Sequence, residues 1–272
     1  MPAPRRSVLL AVGLGCALVL PARAAEQEWG TLRGQIVYGG TVKPNQPADL
    51  KMHMDRKACL EKGDIIQDDL LVHPDSKGVR WVVVWLAKDD DGAADNTAAL
   101  PIHPSLKEIK EKAVVMDQPC CKFEPHIVTM RAGQDFIGKN SSGVKHSIRV
   151  LAKGPNSGNS LNVVLEPKSE RKIGKNEWQG TGEANPVDCT LHAWMKGWLF
   201  VFAHPYFAIS DENGKFELKN VPAGKFRLII WHERGGWLVS EPENKGKNGK
   251  LITIAAKKPT DLGKIEMKVE PE

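Results

Sequence analysis

The sequence predicts an all-β protein made of two β-sandwiches, and three observations predict it. Between residues 113 and 202, about eight short runs are divided by Gly, Pro, Asn and Asp, which is the spacing of a sandwich. Val79-Arg80-Trp81-Val82-Val83-Val84-Trp85-Leu86 is β-branched and aromatic, and reads as a strand buried on both faces. Beyond residue 205, Asn213-Gly214 and Pro222-Ala223-Gly224 place tight turns between apolar runs.

Taken in order, residues 1–24 read as a secretory leader. Arg5 and Arg6 precede an apolar run from Val8 to Leu20, and Ala22-Arg23-Ala24 offers a small-x-small cleavage site. The run is short for a membrane span and carries Gly13 and Gly15. Gly13-Leu14-Gly15 before Cys16 is a poor match to a lipid-attachment signal, so export as a soluble periplasmic or secreted protein is expected. An N-terminal β region, 25–112, follows. It alternates from Leu32 to Val37, turns at Gly39-Gly40, contains the 79–86 strand and an acidic turn from Asp89 to Asp95. A short helix is expected after that turn, with Ser105 as N-cap and Glu108 three residues on, reaching about Lys112.

The central region, 113–204, has strand candidates at 113–116, 126–130, 135–139, 146–150, 161–165, 169–173, 187–190 and 198–202. A polar loop spans 174–186. The C-terminal region, 205–272, is expected to form a hairpin about Asn213-Gly214, then strands through Trp231, at 250–256 and at 263–269.

The chain has 272 residues and a formal net charge of +5. The leader holds three arginines and no acids, so the mature charge is 5 − 3, about +2. The remaining lysines are interspersed with acids, which argues against a nucleic-acid partner. Of five cysteines, Cys59, Cys120, Cys121 and Cys189 survive export, where a disulfide is permitted. With Cys189 reserved for a metal, Cys59 pairs with Cys120 or Cys121, leaving one thiol buried and free.

The chemistry concentrates in Cys189-Thr190-Leu191-His192-Ala193-Trp194-Met195. A thiolate, an imidazole and a thioether at intervals of three residues are three of the donors of a trigonal copper site with a weak axial ligand. The second equatorial imidazole is expected from His146, which opens an apolar run after a polar loop. Trp194 would shield the site from water. Against this stand a chance grouping of core residues, and zinc, for which methionine is a poor ligand.

On these residues the region from about 113 to 204 resembles the cupredoxins, in particular the amicyanin type with its Cys-x-x-His-x-x-Met loop. Gly133-Gln134, Asn140 and His146 resemble the approach to the first ligand histidine. The resemblance implies a Greek-key sandwich binding one type 1 copper through His146, Cys189, His192 and Met195, with Asn140 bracing the site. Ser147 stands where cupredoxins often have Asn. Ser210-Asp211-Glu212-Asn213-Gly214-Lys215-Phe216 and Val221-Pro222-Ala223-Gly224-Lys225-Phe226 resemble carboxypeptidase-regulatory-like and transthyretin-like modules, and the fibronectin-like domain of rhamnogalacturonan lyases. Such modules begin with a strand like Arg33-Gly34-Gln35-Ile36-Val37. One immunoglobulin- or transthyretin-like sandwich built from 31–90 and 206–272, with the copper region inserted, is therefore expected.

The function expected is single-electron transfer to a redox partner protein rather than enzyme catalysis, the electron leaving by an exposed edge of His192 near an apolar patch at Trp194. The rival from another class is a carbohydrate-binding or adhesion β-protein with an unused metal site. An open copper site in an enzyme or chaperone is a third. Other histidines read as structural: His126 as a hydrogen-bonded strand-start residue, His232 and Glu233 as a solvated strand-end pair, His204-Pro205 as a junction, and His53, His73 and His103 as loop residues. Asp89-Asp90-Asp91 lacks the spacing of a calcium loop, and no phosphate-binding loop, serine elbow or zinc-protease helix appears.

Overall fold

The computed structural model describes residues 1, 27–91, 93–238 and 248–269. The expected leader, apart from residue 1, lies outside the described residues. Among the described residues, no helix is long and apolar enough to cross a membrane.

The fold is all-β. The N-terminal strands are β1 (Trp29–Tyr38), β2 (Val83–Asp90) and β3 (Ala93–Asp95). The central strands are β4 (Ala113–Met116), β5 (Ile127–Arg131), β6 (Asp135–Asn140), β7 (His146–Val150), β8 (Leu161–Leu165), β9 (Ser169–Ile173), β10 (Asn185–Asp188) and β11 (Lys196–Phe202). The last six are β12 (Phe207–Ile209), β13 (Lys215–Pro222), β14 (Gly224–His232), β15 (Gly236–Trp237), β16 (Lys250–Ile254) and β17 (Pro259–Met267).

These strands form four sheets. Two come wholly from the central strands, in the orders β4-β6-β9 and β5-β11-β10-β7-β8. The other two mix N- and C-terminal strands: β13-β1-β17, and β12-β2-β14-β15 with β16 on β14 and β3 on β2. Alternation of side chains along the strands sets the layering. On β2, Val84 and Leu86 join Leu32, Ile36, Leu228 and Ile230 in one core, while Val83, Trp85 and Ala87 face Ile127, Phe200 and Phe202. On β11, Leu199 and Val201 turn the other way, into a third core with Phe136, Ile148 and Cys189. β2 is therefore buried on both faces because it lies between a sandwich interior and a neighbouring sheet.

Three local expectations are corrected. The helix from Ser105 to about Lys112 is only a 3₁₀ turn, Pro104–Leu106, capped by the His103 ring, which accepts from Ser105 N at 3.2 Å. The strand at 79–86 begins later, at Val83, after Trp81 takes a positive φ of 64°. Asn213-Gly214 does not close a hairpin, because β12 pairs with β2 whereas β13 pairs with β1. That turn carries the chain between sheets. Gly214 has a φ of 74°, and a Cβ there would meet Ile36 O at 2.1 Å, so glycine is required on both counts.

A buried ionic cluster joins three stretches of chain. His126 Nε2 lies 2.5 Å from Glu233 Oε1, and Trp198 Nε1 donates to Glu233 Oε2 at 2.7 Å. His126 Nδ1 is 3.2 Å from Asp68 Oδ1, but off the hydrogen-bond direction, so this contact is an ion pair without a well-formed hydrogen bond. His126 is thus the structural histidine expected. His232, expected to be solvated, is instead buried, and the side chain of Glu233, also expected to be solvated, is largely enclosed, because the β14 end packs against β5 and the 68–69 segment. Burial alone would lower the His126 pKa, yet the two carboxylates outweigh it and push it up to about 9.

A pKa raised on folding adds stability that is full below the unfolded value and is lost as pH rises through the folded one. Thermal melts should therefore show stability declining between about pH 6.5 and 9, by on the order of 3 kcal/mol. His126→Gln should flatten that decline.

Candidate metal centre

The position of His146 beside the Cys189–Met195 loop follows from strand register. β7 and β10 are antiparallel, with Val187 opposite Val150 and Asp188 opposite Arg149. The start of β7 therefore lies beside the end of β10, where Cys189 follows. The loop is pinned by its own backbone: His192 N donates to Cys189 O at 3.3 Å, Met195 N to His192 O at 2.9 Å, and Cys189 N to Met195 O at 3.3 Å.

This brings three of the four expected ligands together. His192 Nδ1 is 3.0 Å from His146 Nδ1 and 3.6 Å from Cys189 Sγ, and Cys189 Sγ is 4.0 Å from His146 Nδ1. His146, Cys189 and His192 are 0–2% exposed. Met195 is buried in the same core as Cys189. Burial, then the neighbouring His192, pushes the His146 pKa down to about 4, and burial also lowers that of His192. Neutral imidazoles are the form that ligates a metal. The donor chemistry fits copper: one sulfur and two ring nitrogens within reach of one ion, in an apolar shell, beside a buried thioether.

Surrounding groups hold these donors. Ser147 N donates to Cys189 Sγ at 3.2 Å, and Thr190 N donates to Ser147 Oγ at 2.7 Å. Ser147 thus ties β7 to the Cys189 loop. Asn140 Nδ2 donates to Val144 O at 2.8 Å and Leu165 O at 3.0 Å, and its Oδ1 accepts from Ser142. It shapes the turn into His146 and touches no ligand.

The largest departure concerns His192. Its expected exposed edge is covered by a strap, residues 44–70. The strap doubles back through Ala48 N to Ile65 O at 2.8 Å and sinks Leu50, Cys59 and Ile65 into the core around the centre. Asp55 Oδ2 lies 3.1 Å from His192 Nε2, fixing the ring with Nδ1 turned inward. His53 lies over the site, its ring 4.8 Å from those of His192, tilted to it, and of Trp194, edge-on to it, and its Nε2 is 3.1 Å from Leu191 O. Trp194 Nε1 donates to Cys121 O at 3.0 Å.

A disulfide between Cys59 and Cys121 fastens the strap. The spare thiol is Cys120, which is half-buried and not fully buried as expected. His53 and Asp55 were not singled out as site residues by sequence, since no spacing connects them to a loop more than a hundred residues away. Only the cysteine pairing would have drawn them there.

No family model matches the sequence, and no curated relative does. Among solved structures, a reduced single-site mutant of amicyanin is similar at 20% identity, covering 35% of this chain and 86% of its own, with a TM-score of 0.28. A Cu(I) form of another amicyanin mutant gives 19% identity over the same shares, also with a TM-score of 0.28. At these values the matches decide neither the family of this chain nor its activity.

Opening the disulfide should free the strap. The Cys59–Cys121 separation of 62 residues corresponds to about 4 kcal/mol of chain entropy. In a Cys59→Ser/Cys121→Ser variant, amide exchange should rise through 50–66 while the amides of β7 and β11 stay protected.

Proposed function

We propose that this is an exported protein binding one type 1 copper through His146, Cys189, His192 and Met195, and that it carries single electrons. The observation that supports this most is the convergence of two neutral Nδ1 atoms and the Cys189 sulfur within 4.0 Å of one another, in a pocket closed to water. The Cys59–Cys121 disulfide fits an oxidising compartment, periplasmic or extracellular.

A bound copper ion would supply one-electron chemistry between its two oxidation states. The protein's part is to keep the donors in place through that change. Asp55 orients His192, the Ser147 amide holds the sulfur, and the strap excludes water. Because His192 is buried, the route to a redox partner protein runs through the rings in contact with it, His53 and Trp194, beside the exposed Leu191.

Adding Cu(II) to the protein should produce an intense band at about 600 nm, from thiolate-to-copper charge transfer, saturating at one equivalent. Cys189→Ser should abolish it, and Met195→Leu should keep it while raising the reduction potential. A protein with Cys189 free and reduced that shows no such band would contradict the proposal.

A further inference from the structure

The strap carries an anomaly on its outer side. Met52 and Met54 are 97% and 91% exposed, the most exposed large apolar side chains of the described residues after the terminal methionine. They flank His53, whose ring packs at a tilt against that of His192. Beneath them, donor atoms of His53, Asp55 and His192 lie within 4.8 Å of one another. Inward again, His192 presents its other nitrogen to Cys189 and His146. From His53 inward, donors follow one another to the buried centre, and Met52 and Met54 adjoin the outermost of them in sequence.

We propose that Met52, His53 and Met54 form a surface acceptor site for monovalent copper, which loads the buried centre by way of His53 and Asp55. This rests on the copper reading of the centre. The strap covers His192 on this side, so an ion that arrives here has to pass His53 and Asp55. Thioethers are soft, neutral donors that select Cu(I) over zinc and harder dications. The surroundings favour a single charge too: on the stretch 49–57, Lys51, Arg56 and Lys57 outnumber Asp49 and Asp55, and the residual repulsion of a dication is twice that of a monocation. Transfer is an exchange of ligands with no change of oxidation state. His53 Nδ1 accepts from Asp55 N, so Nε2 carries the proton that faces Leu191 O. The ion replaces the amide contact at Nδ1, Nε2 keeps its proton, and Asp55 then releases His192 Nε2 as the ion moves inward.

The test uses Ag(I), a closed-shell stand-in for Cu(I), on full-length Cys120→Ser/Cys189→Ser protein with the disulfide intact and methionine methyls labelled for NMR. The first equivalent should shift two methyl resonances, assigned by Met52→Leu and Met54→Leu, and the double leucine variant should lose that binding. Unmoved Met52 and Met54 methyls would overturn the proposal, whatever the fate of the 600 nm band. Shifted methyls together with no 600 nm band from Cu(II) in protein with Cys189 intact and reduced would instead fault the reading of the centre. In protein with both cysteines intact, Met52→Leu/Met54→Leu should slow filling of the centre from a chelated Cu(I) donor by on the order of tenfold, through loss of local concentration. Equal filling rates would overturn the proposal even if the serine variant fails to fold.

Discussion

The strap over His192, fastened by the Cys59–Cys121 disulfide, is the constraint on which the rest of the centre depends. It removes the outer edge of the ring from solvent, and burial then holds both imidazoles neutral. It brings Asp55 to His192 Nε2, so the inner nitrogen faces the sulfur. It also sinks Leu50, Cys59 and Ile65 into the apolar shell that keeps the donors rigid. Without it, the Cys189 loop would be a strand connection open to water.

The sheet stacking explains why the strap has a firm base. The core formed by Trp85, Phe200, Phe202 and Trp231 locks the five-stranded sheet to the β12-β2-β14 sheet, so the centre stands on a doubly packed layer. His126 completes the attachment, because its two carboxylate partners come from the strap end at Asp68 and from the turn after β14 at Glu233. A single buried cation thus links the covering segment, the central sheets and the mixed N- and C-terminal sheets.

Much of the fold was legible in the sequence because it depends on local signals. Alternation and turn residues located β4, β7, β8 and β9 to the residue, and the β2 run betrayed its double burial. The donors on the 189–195 loop were legible because they share seven residues. What could not be read depends on long-range closure. His53 read as a loop residue like His73 and His103 because its contact with His192 is made across more than a hundred positions, and His232 looked solvated because its covering residues lie more than a hundred positions upstream. The Asn213-Gly214 turn shows the same limit: its chemistry dictates a reversal, while the partner of each flanking strand is chosen by β1 and β2.

The most direct test of the account is a crystal structure of the copper-loaded protein with anomalous scattering measured at the copper edge. The account predicts one strong peak among His146 Nδ1, His192 Nδ1 and Cys189 Sγ, beneath the strap. No peak among these atoms, in protein shown to contain one equivalent of copper, would contradict it.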